Sequence, residues 1–314
     1  MKSLKIVFMG TPDFAVASLK NLVDNNYKVV GVITAPDRPA GRGQKLRASA
    51  VKEYAESKGL YIMQPTNLKD ESFLNELKGL QADLQIIVAF RMLPKVVWAM
   101  PKHGTFNLHA SLLPEYRGAA PINWAVINGE TVSGNTTFFI DEKIDTGAVI
   151  LQQKQEILNS TTAGQLHDEL MRQGADLVLE TVDLIESGKV TTKIQPEKEP
   201  KTAYKLNKEN TKIDWSKDGQ TIHNLIRGLS PYPSAWCFLH DKDKKQSIKI
   251  LLAEFAEETH NEKIGSVSVV EKQLKIAVKD GFMKILRMQL PGKKAMDTTA
   301  LLNGYTFDSG AFFD

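Results

Sequence analysis

The sequence predicts an α/β fold on a mostly parallel sheet, followed by a small barrel or sandwich of short strands. Three observations carry this expectation. Near-continuous apolar runs of strand length alternate with helix-spaced segments through the first half of the chain. Gly188–Pro200 then changes character, with Lys189, Lys193, Pro196, Glu197, Lys198, Glu199 and Pro200 and no hydrophobic period. Beyond it, short strand-like runs follow one another closely. The chain is thus expected to divide into a first domain at 1–188, a linker at 189–205 and a C-terminal domain at 206–314.

Each element has its own signal. Ile6–Met9 is an apolar run ending at Gly10, and Asp13–Val23 places Phe14, Ala17 and Leu22 at helical spacing. Val29–Ile33 reads as a second buried strand, Ser49–Lys58 as a helix, Leu60–Met63 as a third strand and Glu71–Leu77 as a helix. Leu84–Ala89 is strongly apolar, and Phe106–His109 and Thr136–Ile140 continue the series. Strands without polar alternation need helices on both faces, which is the arrangement of a parallel sheet. A helix over Ala163–Ser187 closes this part. In the C-terminal part Thr221–Gly228 reads as a helix, and Trp236–Leu239, Ile248–Leu252, Gly265–Val270, Leu274–Val278 and Met283–Leu286 read as strands. Trp215 and Trp236 are expected in the core.

The composition excludes several classes. With 314 residues, 42% hydrophobic and 25% charged, the chain is long enough for two cores and is ordinary for a soluble protein. Its single cysteine, Cys237, lies in an apolar run and reads as a small buried side chain; no intrachain disulfide can form. The six histidines show no metal-ligand spacing, so no metal is expected. The opening run Met1–Gly10 is too short for a signal peptide, and no stretch approaches the roughly 20 apolar residues of a bilayer span. A cytoplasmic protein without a membrane partner is expected, with a monomer as the default. The net charge of +3 neither demands nor excludes nucleic acid.

The chemistry concentrates in Asn107-Leu108-His109, at the end of a predicted strand. Alternation sends Asn107 and His109 out by one face and Leu108 toward the core. A carboxylate follows in Asp141-Glu142-Lys143-Ile144-Asp145-Thr146-Gly147, where Asp145 precedes a turn signal while Asp141 and Glu142 compete for the same role. An amide, an imidazole and a carboxylate are the parts needed to stabilise an oxyanion and move a proton. Ligands of open parallel sheets bind beyond the carboxyl ends of the strands, which gives the three a common location. The turn Gly10-Thr11-Pro12-Asp13 lacks the glycines of a dinucleotide fingerprint, and Pro12 removes an amide, so a nicotinamide site is not expected there.

Two further stretches bear on partners. Pro36–Arg47 holds Arg38, Arg42, Lys45 and Arg47 with two prolines and two glycines. Basic side chains on an exposed loop beside the sheet's carboxyl edge suit phosphate and base-edge contacts. From Leu206 onward sixteen Lys and Arg face fourteen Asp and Glu, which is no basic domain, though Lys242, Lys244, Lys245, Lys293 and Lys294 form local clusters.

Taken together, these segments resemble the methionyl-tRNA formyltransferases over essentially the whole chain. The resemblance runs through Phe8–Ala15, Ala35–Gly43, Asn107–Pro114, Tyr116–Ile122, Asp145–Gly147, Ile213–Trp215 and Pro291–Met296. It implies a Rossmann-like formyltransferase domain with a C-terminal barrel like an OB-fold. It further implies transfer of a formyl group from 10-formyltetrahydrofolate to the amine of initiator methionyl-tRNA, for translation initiation. Asn107, His109 and Asp145 match the catalytic trio, and Ser111, Leu112, Leu113 and Pro114 match the folate-binding segment. Arg42 falls in the loop such enzymes place near the acceptor end of the tRNA. The chain departs from the family at Ala89-Phe90-Arg91-Met92-Leu93-Pro94, which lacks a glycine and is one residue shorter. Arg91 is therefore expected to alter the pterin pocket. Related enzymes that use formyltetrahydrofolate on another amine or hydrolyse it, and a non-catalytic RNA-binding relative, are the competing expectations.

Overall fold

The structure is a computed structural model and describes residues 3–40, 45–197 and 199–314. In chain order its elements begin with β1 (Lys5–Gly10), α1 (Asp13–Asp24), β2 (Lys28–Ile33), β3 (Arg38–Ala40), β4 (Lys45–Arg47), α2 (Ala50–Ser57) and β5 (Ile62–Met63). They continue with α3 (Glu71–Gly79), β6 (Leu84–Val88), α4 (Lys95–Trp98), β7 (Thr105–His109), β8 (Arg117–Gly118), α5 (Pro121–Ile127), β9 (Val132–Phe139), β10 (Val149–Glu156) and α6 (Ala163–Glu186). The remainder is β11 (Thr202–Ala203), α7 (Gly219–Gly228), β12 (Ala235–Asp241), β13 (Lys244–Glu257), β14 (Val267–Val270), β15 (Gln273–Val278), β16 (Gly281–Gln289), β17 (Met296–Asp297), α8 (Thr298–Leu301) and β18 (Phe312–Phe313).

Contacts divide the chain into two compact units. The first holds Met1–Gly118, Ser133–Gln155 and His167–Thr202; the second holds Ala119–Val132, Glu156–Leu166 and Ala203–Asp314. In the first unit a seven-stranded sheet runs β10-β9-β7-β6-β1-β2-β5. From β5 to β7 all neighbours are parallel. Every residue of β6 is buried, as a strand covered on both faces must be. Beyond β7 the sheet turns: β9 pairs with it antiparallel, so the sheet is mixed. The sequence hides this change of direction because Ser133–Phe138 is buried throughout and reads like another doubly covered strand. β10 alternates toward polarity, with Gln152, Gln153 and Lys154 exposed, and forms the edge.

Local chemistry places the helices. Ser49, Asp70 and Asp218 occupy the N-caps of α2, α3 and α7, each accepting from backbone amides of the first turn. Gly10 ends β1 because a Cβ there would lie 2.6 Å from Ala15 Cβ, so only glycine lets α1 start so close to the strand. On the β9 side, Asn135 Nδ2 donates to Leu170 O of α6 at 2.9 Å, and the buried hydroxyls of Thr137 and Thr181 pair at 2.8 Å.

The second unit is a curled antiparallel half-barrel in the order β14-β15-β16-β13-β12-β18, with β17 paired to β16. Its last strand also bridges Phe312 to Ser266, beside β14, so β18 touches both edges. Ile222 and Ile226 of α7 and Leu229 just past its end join Cys237, Leu239, Ile248 and Met283 in one apolar core. Trp215 is buried as expected, at 4% exposure. Trp236 is not: β12 alternates, Ala235, Cys237 and Leu239 take the core, and Trp236 leaves by the opposite face half-buried. The apolar run around it concealed that period of two.

Candidate active site at the carboxyl edge of the sheet

Residue by residue, the carboxyl end of β7 becomes a polar junction. His109 is buried at 7% exposure, while Asn107, two residues earlier on the same face, is half-buried. Leu108 turns the other way into the core at 3% exposure. His109 Nε2 lies 2.9 Å from the carbonyl oxygen of Tyr116, where a protonated nitrogen donates. Its Nδ1 lies 3.8 Å from Asp145 Oδ2. That separation exceeds a hydrogen bond, so the ring and the acid are neighbours without a direct hydrogen bond between them. No side-chain hydrogen bond of Asn107 is found among the described residues, which leaves its amide free to donate.

Asp145 is the carboxylate of its loop that meets the histidine. Its side chain is 16% exposed, and Oδ2 accepts the Gly118 N–H at 3.0 Å. Asp141 instead caps its own turn, accepting from Lys143 N at 2.9 Å and Thr146 Oγ1 at 2.7 Å. Glu142 pairs with Lys95 at 2.6 Å, and that ammonium holds its carboxyl below the ordinary range. Asp145 has φ 55, a left-handed conformation that aspartate tolerates better than most residues. Gly147 is required two residues later, since a Cβ would fall 1.7 Å from Phe139 O.

One contributor carried no sequence signal. Gln195, in the segment expected to be a linker, is buried at 6% exposure. Its Nε2 donates to Asp145 O at 3.0 Å and Gly147 O at 2.8 Å, and its Oε1 accepts from Arg117 Nη2 at 2.6 Å and Nε at 3.2 Å. The proline-and-charge composition around it concealed one buried amide. A cavity of about 430 Å³ is lined by Arg117, Asp141, Thr146 and Gln195, though not by Asn107, His109 or Asp145 themselves.

Ser111–Pro114 leaves β7 in a held conformation. Thr136 Oγ1 donates to Ser111 O at 2.6 Å and accepts from Leu113 N at 3.1 Å. Ser111 is fully buried and donates to Glu115 O, while Leu113 packs with Phe138 and Val149. Leu112 and Pro114 are half-buried.

Within the basic stretch β3 and β4 pair antiparallel, with Arg38 opposite Arg47 and Ala40 opposite Lys45. Arg38 and Arg47 are exposed. Arg42 lies outside the described residues. Just before β3, Asp37 is tied to Lys52 at 2.6 Å and to Gln64 at 2.8 Å. Arg91 donates to the carbonyls of Thr66, at 2.9 Å, and Pro65, with its guanidinium 5.5 Å from the Phe90 ring centre. Desolvation and then the charge of Arg38 lower its pKa. Among the described residues no group of histidine, cysteine and acids could hold a metal ion, and no helix is long and apolar enough to cross a membrane.

A histidine and a carboxylate sunk at the carboxyl edge of an α/β sheet stand where such folds bind and transform small ligands. The chain belongs to the formyl transferase family, whose pattern matches residues 4–182, with that of the formyl transferase C-terminal domain matching 205–306. It is 62% identical over 312 residues to methionyl-tRNA formyltransferase of Flavobacterium johnsoniae, covering 99% of both chains. To the same-named protein of Parabacteroides distasonis it is 53% identical, covering 97% of this chain and 96% of the other. Among solved structures, an N-formyltransferase from Helicobacter canadensis in complex with folinic acid and dTDP-3-aminofucose shares the fold, with a TM-score of 0.68 and 24% identity over 92% of this chain and 100% of that one.

Proposed function

We propose that this protein transfers the formyl group of 10-formyltetrahydrofolate to the α-amine of methionyl initiator tRNA, giving formylmethionyl-tRNA for translation initiation. One observation carries the reading. His109 and Asp145 face each other at 3.8 Å beside the free amide of Asn107, in a chain that matches methionyl-tRNA formyltransferases from end to end.

The amine attacks the formyl carbon, a C–N bond forms, and the bond to folate N10 breaks as that nitrogen takes up a proton. Negative charge gathers on the formyl oxygen as its carbon becomes tetrahedral. Asn107 Nδ2–H and the His109 Nδ1–H donate to that oxygen, a role whose removal typically costs about 10²–10³ in rate. Asp145, held by Gly118 N–H, faces the ring and accepts the amine's proton directly or through water, and that proton passes on to folate N10 as its bond to the formyl carbon breaks. No covalent enzyme intermediate and no metal enter this scheme.

In this reading Ser111, Leu112, Leu113 and Pro114 bind the folate, and Arg38, Arg42, Lys45 and Arg47 contact tRNA. The functional domains are 1–188 for catalysis, 189–205 as connection and 206–314 as an OB-like tRNA-binding barrel, a division supported by the family matches at 4–182 and 205–306. The protein acts in the cytoplasm as a monomer. Formylation of charged initiator tRNA, with elongator methionyl-tRNA and a sugar-nucleotide amine as parallel acceptors, tests the proposal. Formylation confined to the initiator is expected; preference for the sugar amine would overturn it.

A further inference from the structure

The second unit carries a surface that formyl transfer does not explain. Along β12, Trp236, Phe238 and His240 all leave by the outward face. Trp236 and Phe238 meet edge to face with centroids 5.3 Å apart, and His240 stacks on Phe312 at 4.2 Å and 9°. The neighbouring strand supplies cations in register. Lys249 stands opposite Trp236, Ser247 opposite Phe238 and Lys245 opposite His240. More lysines close over the rings: Lys208 lies 5.3 Å from the Trp236 centre, Lys212 and Lys245 lie 5.5 and 4.2 Å from Phe238, and Lys263 lies 5.7 Å from Phe312. Asp314 engages Lys212 at 3.6 Å, Lys245 at 3.1 Å and His240 at 3.5 Å. Lys208, Lys249 and Lys263 have no carboxylate partner among the described residues. Beside Trp236 a cavity of about 290 Å³ opens between Asn207, Lys208 and Lys249.

We propose that this outward face of β12 is a stacking platform for unpaired nucleotides of an RNA, with the base on Trp236 in the cavity and the backbone phosphates on Lys208 and Lys249. Aromatic rings on a sheet face, set among lysines, are the combination that binds single strands without reading their sequence. The alternative of a protein partner fits poorly, because lysine is depleted at protein interfaces. The Trp236 ring is held from one edge. Its Nε1–H donates to Lys208 O at 2.8 Å, which fixes the ring plane and brings the lysine's own backbone alongside. The inference deepens the reading that the chain acts on a charged tRNA and rests on it. It says which face of the half-barrel takes RNA and by what force.

The test uses the full chain and two labelled RNAs of equal length, an unpaired 12-mer and a blunt duplex, followed by KM for charged initiator tRNA. Trp236→Leu should weaken binding of the single strand about tenfold or more and leave the duplex nearly unchanged, since one stacked base is commonly worth that much. KM for tRNA should rise in step while kcat and KM for folate hold. Trp236→Phe keeps a ring but loses the hydrogen bond to Lys208, and it should restore most of the binding. Equal binding by wild type and Trp236→Leu, or a Phe variant as poor as the Leu variant, would overturn the platform. If the wild type formylates methionyl-tRNA and Trp236→Leu does so with unchanged KM, only this inference fails. If the wild type forms no formylmethionyl-tRNA but loses single-strand binding with Trp236→Leu, the acceptor reading fails and the platform stands.

Discussion

The carboxyl edge of the sheet and the outward face of β12 are both polar, yet they are built in opposite ways. At the edge the polar atoms around the free Asn107 amide are mostly tied. Thr136 Oγ1 serves Ser111, Leu113 and Gln152, and the amide of Gln195 meets two carbonyls and one guanidinium. Around the outward face of β12 lysines from other segments lie over the rings, and among the described residues Lys208 and Lys263 have no acid partner. On the roles proposed above, the contrast follows from the work each must do. A donor aimed at developing charge loses its value when displaced by an ångström, whereas attraction to a phosphate chain survives rearrangement. Rigid polar sites should therefore govern rate, and loosely held cations should govern affinity.

That division can be broken by substitution. The largest effect belongs to the edge: Asn107→Ala should lower single-turnover formyl transfer by about 10²–10³ with tRNA affinity unchanged, measured by rapid quench. An unchanged rate would remove Asn107 from the chemistry. Gln195→Ala comes next. It leaves two buried carbonyls unmet, which costs about 1–3 kcal/mol, so the melting temperature should fall by several degrees, and the transfer rate should drop at least about tenfold as Asp145 loses its support. A fall in melting temperature with no loss of rate would make Gln195 purely architectural. Arg47→Ala on β4 should raise KM for tRNA a few-fold and reduce the dependence of log KM on log salt by about one, with kcat intact. Smallest is Arg91→Gly. Because the guanidinium is spent on the carbonyls of Pro65 and Thr66, folate KM should stay within about twofold. A larger shift would return Arg91 to the pterin pocket.

Much of this architecture was legible in the amino-acid order, for identifiable reasons. Strands covered on both faces must be apolar throughout, so β1, β2 and β6 announced themselves, and alternation alone put Asn107 and His109 on one face. The choice of Asp145 over Asp141 and Glu142 needed three dimensions, because all three share one short loop and only the fold shows that Asp141 closes its own turn. Gln195 was invisible for a different reason: a single buried amide in a charged, proline-bearing segment leaves no periodicity. Trp236 misled because tryptophan is read as core by size, while the decision rests on a strand's phase. The antiparallel return of β9 was equally silent, since burial reports cover on both faces and says nothing of chain direction.

The placement of α5 has a consequence for how such a chain can be rearranged. This helix comes from the middle of the sequence yet belongs with α7: Asn123 Nδ2 donates to Gly228 O at 2.8 Å, and a Cβ on Gly228 would strike Ile127. Splicing the gene at residue 188 would orphan that helix from its partner and leave both halves with a raw seam. A chimaera that exchanges the tail between relatives must carry 119–132 and 156–166 along with it, so the two units are inherited as one interlaced cassette rather than as a head and a detachable suffix.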